Sequence, residues 1–377
     1  MALPRSKYVK EGQEGVYHCY TRCVRRAFLY GFDAVSGKDF SHRKAWITDR
    51  LRHLAAIFAI DVCAYAVMET HYHTILRTRP DIATTWSDHE VAHRWLTLFP
   101  RQNALKAQLS IEDQICMLVS NPKLIAKLRI RLSSLSWFMG QLNEFIARAA
   151  NKEDKVKGRF FESRFKCQIL LDVAAIASCM VYVDLNPIRA GIAATPEQSD
   201  FTSIQERIRS WQKETMTADS LPDNLEQDQT ANSLYHSIPM PDDGGENLKP
   251  FTDHHSAKNP QPDREPFSHD WLCPISSQGH RRGILPMTAV EYFDLVDRSG
   301  RITRTHKRGA IDADLAPILL RIGANPKTWT ETISRFGYKF HLAAGLLSNI
   351  RNFADQIGRK WLCGISEARS AFASSFN

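Results

Sequence analysis

Residues 67–76 read VMETHYHTIL, an apolar run interrupted by two histidines that flank a tyrosine. Alternate side chains of a β-strand point to opposite faces, so His71 and His73 share one face while Tyr72 turns to the other. Two imidazoles placed this way can hold one divalent ion, fill a polar pocket, or sit on an exposed sheet face. Working outward, the neighbouring pattern supplies a fold for them. GVYHCYTRCV (15–24) reads as a strand. SHRKAWITDRLRHLAAIFA (41–59) reads as a helix with Ser41 as N-cap and apolar residues at Trp46, Ile47, Leu51, Leu54 and Ile57. IDVCAYAVMET (60–70) and HYHTILRT (71–78) are two further strands. SDHEVAHRWLTLF (87–99) and a stretch from about 102 to 150 are helical, and RFKCQILL (164–171) is a strand. DVAAIASCMVYVDL (172–185) is a helix with Asp172 as N-cap, and the Asn-Pro that follows is its stop signal. Strands with their attached helices run β-α-β-β-α-β-α. That order predicts an α+β fold, a split βαβ, ferredoxin-like antiparallel sheet with one more helix laid against it.

A chain of 377 residues, 43% hydrophobic, is long enough for two domains or one large domain with appendages. It contains no run of the roughly 20 apolar residues that span a bilayer. The opening MALPRSKYVKEGQEG has no apolar signal core, so the expectation is a cytoplasmic protein without a membrane partner. Eight scattered cysteines with no CxxC pair favour reduced, buried thiols over a disulfide framework or zinc ribbon.

Charge divides the chain. Residues 1–212 hold 30 Lys+Arg against 21 Asp+Glu, residues 213–270 hold 4 against 12, and residues 271–377 hold 15 against 8. The predicted organisation is a catalytic domain over 1–212 with a helical insertion at about 102–150, an acidic flexible linker over 213–270, and a small basic helical C-terminal domain over 271–377. Two basic blocks favour a polyanionic partner.

Four groups of residues compete as sites. The first is the His71/His73 pair. The second is YVDLN, in which Tyr182 and Asn186 lie four apart and hence on one helical face. The third is HEVAH (89–93), matching the zinc protease pattern of two helical histidines with Glu90 as base. Asp88 and Arg94 bracket it, which suits an exposed helix face better than a buried one. The fourth is a set of basic runs with aromatics among them. Arg22, Arg25, Arg26, Arg159, Arg164 and Lys166 could meet phosphates beside Phe160, Phe161 and Phe165. Arg301, Arg304, Lys307 and Arg308 form a dense run in an expected loop between Gly300 and Gly309.

YHCYTRCVRRAFLYG, AYAVMETHYHTIL, GRFFESRFK and YVDLNPIRAGI, in that order over roughly residues 15–210, resemble the single-tyrosine transposases of the HUH endonuclease superfamily, of the REP-associated type. The resemblance implies that His71 and His73 bind a divalent ion, Mg²⁺ or Mn²⁺, together with Asn186. It also implies that Tyr182 is the nucleophile. The implied partner is single-stranded DNA near a folded hairpin, with a monomer or a homodimer as the acting form. The implied activity is metal-dependent cleavage and rejoining of DNA through a 5′-phosphotyrosine, which conserves the phosphodiester's energy for strand transfer. Thr70 stands where such sequences often have Asn, and the spacing between His73 and Tyr182 is longer than in compact members. The competing readings are a nucleic-acid-binding module without catalysis and, on HEVAH, a zinc metalloprotease.

Overall fold

The computed structural model describes residues 3–24, 29–34, 36–100, 109–219, 271–304, 319–320, 322 and 324–372. Its centre is a sheet of five strands: β1 (Gly15–Arg22), β2 (Ile60–Val67), β3 (His71–Thr78), β4 (Lys166–Leu170) and β5 (Ala343–Ala344), in spatial order β2-β3-β1-β4-β5. The first four are antiparallel and have the ferredoxin-like arrangement. The two-residue β5 joins β4 in parallel, so the sheet as a whole is mixed. The architecture is α+β, as the strand and helix order predicts.

One face of the sheet is closed by α1 (Arg43–Ile57) and a long helix further along the chain. Ile47, Leu51, Leu54 and Ile57 of α1 are buried at the expected spacing. The cap differs: Ser41 donates to the Asp39 carboxylate, and His42 occupies the N-cap position without a side-chain capping bond. The helix begins at Arg43, one residue later than a Ser41 cap requires, so the N-cap position falls on His42. The helical region contributes α2 (Asp88–Leu98), α3 (Ile111–Val119), α4 (Pro122–Leu132) and α5 (Leu135–Glu153). The helix that packs beside α1 is α5, from the stretch read as an insertion, while α2 packs with α3 and α4. Arg43 of α1, fully buried, ties the pair together through Glu153 at 2.6 Å and Asp154. Tyr72 points to this face and donates to Asn143 of α5 at 2.6 Å, which answers why a tyrosine separates the two histidines.

The opposite face carries α6 (Val173–Asp184), whose N-cap Asp172 accepts from the Ala175 amide as expected. After Leu185 the chain makes one more turn, α7 (Asn186–Arg189), with Pro187 tolerated in its first turn. Helix α8 (Ser203–Asp219) runs into the segment read as linker; residues 220–270 of that segment lie outside the described residues.

The described residues between 271 and 372 lie against this face and its edge. They form α9 (Ala289–Arg304), α10 (Trp329–Ser334), α11 (Phe336–Lys339), α12 (Leu347–Gln356) and α13 (Ile365–Ala371). Tyr292 of α9 is fully buried and donates to Asp184 at 2.5 Å. Asp172 also accepts from the Leu346 amide and the Asn349 side chain, at 2.5 and 3.0 Å. Arg77 of β3 donates to the carbonyls of Arg282 and Gly283. Phe336, Phe340, Trp329, Ile350 and Leu295 belong to the same buried core as the strands. All the described cysteines are free thiols and most are buried.

Candidate functional site

The register places the histidines. β1 pairs with β3 so that Arg22 lies opposite His71 and Tyr20 opposite His73, and with β4 so that His18 lies opposite Gln168 and Tyr20 opposite Lys166. Residues opposite one another in an antiparallel pair share a face. One face therefore gathers His18, Tyr20, Arg22, His71, His73, Lys166 and Gln168, beneath α6.

His71, at the mouth of this face, is partly exposed and its Nδ1 lies 2.9 Å from the Thr70 hydroxyl. His73 is buried; its ring is 5.0 Å from that of His71 and its Nδ1 is 2.9 Å from His18 Nε2. His18 Nδ1 in turn faces Gln168 Oε1 at 3.4 Å. Burial holds these imidazoles neutral. It lowers His18 to about 4 and His71, with some help from Arg22, to about 4. His73 is pushed well below the usual histidine range by burial and then by its neighbours His71 and His18. Neutral imidazole is the metal-binding form.

Tyr182, in the last turn of α6, meets both buried histidines edge-on, 5.7 Å from the His73 ring and 6.0 Å from that of His18. On its other side the ring lies 6.0 Å from Phe336. Gly337 backs its hydroxyl so closely that a Cβ there would fall 2.9 Å from the oxygen. Burial pushes the phenol up to about 12, and the Arg189 guanidinium, 5.3 Å from the ring centre, pulls the other way. Arg189 is fixed by donating to the Ile333 carbonyl at 3.0 Å and to that of Ser334, at the end of α10.

Asn186 lies one turn beyond Tyr182, with its amide nitrogen donating to the Tyr182 carbonyl at 3.0 Å. That bond closes the helix end and fixes the amide, leaving Oδ1 as its acceptor. The structure thus brings His71, His73 and Tyr182 together and sets Asn186 in α7, the turn that follows the Tyr182 helix. A divalent ion fits the donor chemistry in one respect above all: His73 Nε2 is buried and has no partner among the described residues. No three His, Cys, Asp or Glu side chains among the described residues form a ready metal cluster.

Of the basic residues, Arg22 and Lys166 share the histidine face, with the Lys166 ammonium 5.6 Å from the Tyr20 ring centre. Arg159 and Arg164 are exposed in the loop leading into β4, whereas Phe160 and Phe165 are buried and belong to the core. Arg301 is exposed but paired with Asp297 at 2.8 Å. It and Arg304 close α9 where a loop was expected. Arg25, Arg26, Lys307 and Arg308 lie outside the described residues. The polar HEVAH residues are turned outward: His89 pairs with Glu112 at 3.0 Å and Glu90 with Arg94 at 2.8 Å, while His93 is exposed.

The sequence reading missed two members. His18 is a lone histidine whose face emerges only from the β1–β3 pairing. Arg189 had a visible signal, since seven residues separate it from Tyr182, two helical turns. No described helix is long and apolar enough to cross a membrane.

No family model and no curated protein matches the chain. Among solved structures it is similar to one described as "Structure of the REP associates tyrosine transposase bound to a REP hairpin", at 12% identity and a TM-score of 0.29, over 62% of this chain and 96% of that one.

Proposed function

We propose that this chain is a single-tyrosine, HUH-type DNA transposase of the REP-associated kind, cleaving and rejoining single-stranded DNA with Tyr182 as nucleophile. The observation that supports the reading is the meeting of Tyr182 with the His71/His73 face, which joins two motifs far apart in sequence. In this reading His71 and His73 hold Mg²⁺ or Mn²⁺, with the Asn186 side-chain oxygen as third protein donor. When bound, the ion polarises a non-bridging oxygen of the scissile phosphate.

The chain's own residues supply the rest. Tyr182 Oη forms a bond to phosphorus as the bond to the 3′-oxygen breaks, leaving a 5′-phosphotyrosine and a 3′-hydroxyl. The proton lost by the phenol balances the one taken up by the leaving oxygen. Arg189 stabilises the phenolate that burial disfavours. Attack by another 3′-hydroxyl on the phosphotyrosine reverses the step and rejoins DNA. In this reading Arg22, Lys166, Arg159 and Arg164 neutralise phosphates of the strand, and Arg25, Arg26, Arg301, Arg304, Lys307 and Arg308 extend the proposed contact set. The partner is a single strand beside a hairpin, met by a monomer or homodimer in the cytoplasm.

The test is incubation with labelled single-stranded oligonucleotides from the flanks of the chain's own gene, with Mn²⁺ and with chelator. Site-specific cleavage that the chelator stops is expected. Binding without cleavage of any flank would favour a non-catalytic nucleic-acid-binding module.

A further inference from the structure

We propose that His18 and Gln168 are positioning residues that order the protons along the sheet so that His73 presents a bare Nε2 lone pair to the site. The inference rests on the metal-binding reading of the His71/His73 pair. Its basis is a chain of three buried polar side chains on adjacent strands: Gln168 on β4, His18 on β1 and His73 on β3.

Directions follow from the end of the chain. Gln168 Oε1 can only accept, so the nitrogen facing it, His18 Nδ1, carries a proton. A neutral His18 then has a bare Nε2, which accepts across 2.9 Å from His73 Nδ1. His73 has its one proton on Nδ1 and none on Nε2. That is the nitrogen left buried and unpartnered among the described residues. The reverse order would bury a His73 N–H with no acceptor, whereas a lone pair there suits a cation; the Gln168 amide nitrogen is also without a partner among the described residues in the order given. His71 Nδ1 lies 2.9 Å from the Thr70 hydroxyl, which can serve it as donor or acceptor and so leaves its tautomer free.

Such outer partners fix ring orientation and raise ligand basicity, and their loss typically weakens metal binding about 10–100-fold. Gln168 is the residue to change, because it touches neither proposed ligand. Gln168→Glu keeps an acceptor toward His18, and Gln168→Leu removes it.

The experiment is long-range ¹H–¹⁵N spectroscopy of the full chain labelled in histidine, without metal, alongside titration with Mn²⁺ followed by the spin resonance of the free ion. In the unchanged protein His73 is expected to be protonated at Nδ1 and bare at Nε2. Gln168→Glu should retain that tautomer and bind Mn²⁺ within a few-fold. Gln168→Leu should mix the tautomers and weaken Mn²⁺ binding about 10–100-fold. A proton on Nε2 of His73 in the unchanged protein overturns the proposal without any variant. So does a Gln168→Leu protein with unaltered tautomer and affinity. Failure of the unchanged protein to bind Mn²⁺ overturns instead the metal assignment on which the proposal rests, while the tautomer still reports on the chain.

Discussion

The ring of Tyr182 stands edge-on to the imidazole of His73, with centroids 5.7 Å apart and planes at 85°. A phenol and a histidine pair at this separation can share one phosphate between them, a juxtaposition that neither motif shows alone. The helical histidines of HEVAH have no such relation, being engaged outward with Glu112 or exposed.

That difference sets a first prediction. His71→Ala and His73→Ala should abolish Mg²⁺- or Mn²⁺-dependent cleavage, whereas His89→Ala and His93→Ala should retain it within a few-fold. Cleavage assays of the four variants over a range of metal concentrations decide it. Dependence on the helical pair alone would shift the metal site to α2.

Arg189 sets a second, read from pH. Burial raises Tyr182 to about 12 and the guanidinium opposes that rise. Below that value only a minor fraction of the phenol is ionised, so the rate of covalent capture should climb as pH rises from 7 to 9. Arg189→Gln should raise the phenol further and slow capture at every pH, by about tenfold for each unit of pKa. Rates equal to those of the unchanged protein throughout would remove Arg189 from the account.

A third prediction reverses a sequence expectation. The basic composition of 271–377 suggests a separable domain that adds phosphate contacts, so deleting 213–377 should leave weak cleavage at low salt. The packing argues otherwise. Deletion strips Tyr292 from Asp184, Phe336 from Tyr182 and two carbonyls from the buried Arg77. Uncovered apolar surface and a buried guanidinium reduced to its pairing with Asp61 should make the truncated protein insoluble or loosely folded. A soluble, cooperatively unfolding truncation would contradict this, and a shallower salt dependence of its DNA binding would then show how many phosphates residues 213–377 neutralise.

Asp184 sets a fourth. Burial raises its carboxyl from 3.8 to about 6, despite hydrogen bonds from Ser203 and Tyr292 that pull it down. Between those values the folded protein keeps a proton that the unfolded chain sheds. Its favourable contribution is therefore complete below about pH 3.8 and is lost as pH rises through about 6. Relative to the unchanged protein, Asp184→Asn should gain stability across that window, by ~3 kcal/mol at most. Urea unfolding at a series of pH values measures it; a difference independent of pH would contradict the shift.

What could be read from sequence followed from local periodicity. The alternation around His71 and His73 fixes their common face, and Asp172 caps α6 as its position suggests. The missing parts depend on partners distant in the chain. His18 joins the site only through strand pairing, and β5 is two alanines, too short for any period. Gly300 looks like a loop signal but lies inside α9. There the missing side chain lets the helix approach Leu185, whose Cδ2 would lie 3.0 Å from a Cβ. Exposure alone does not make the basic runs a surface for DNA either, since Arg301 is held by its own helix at Asp297.

Peptide mapping reads out whether Tyr182 becomes covalently joined to DNA. The protein is incubated with a cleavable single strand and Mn²⁺, denatured and digested, and the nucleotide-bearing peptide is sequenced by mass spectrometry. The expected product is a 5′-phosphate linked to Tyr182, with no adduct from Tyr182→Phe, which keeps the ring's packing and should bind DNA within a few-fold of the unchanged protein. An undiminished adduct in Tyr182→Phe, or cleavage that leaves no covalent product, would contradict it.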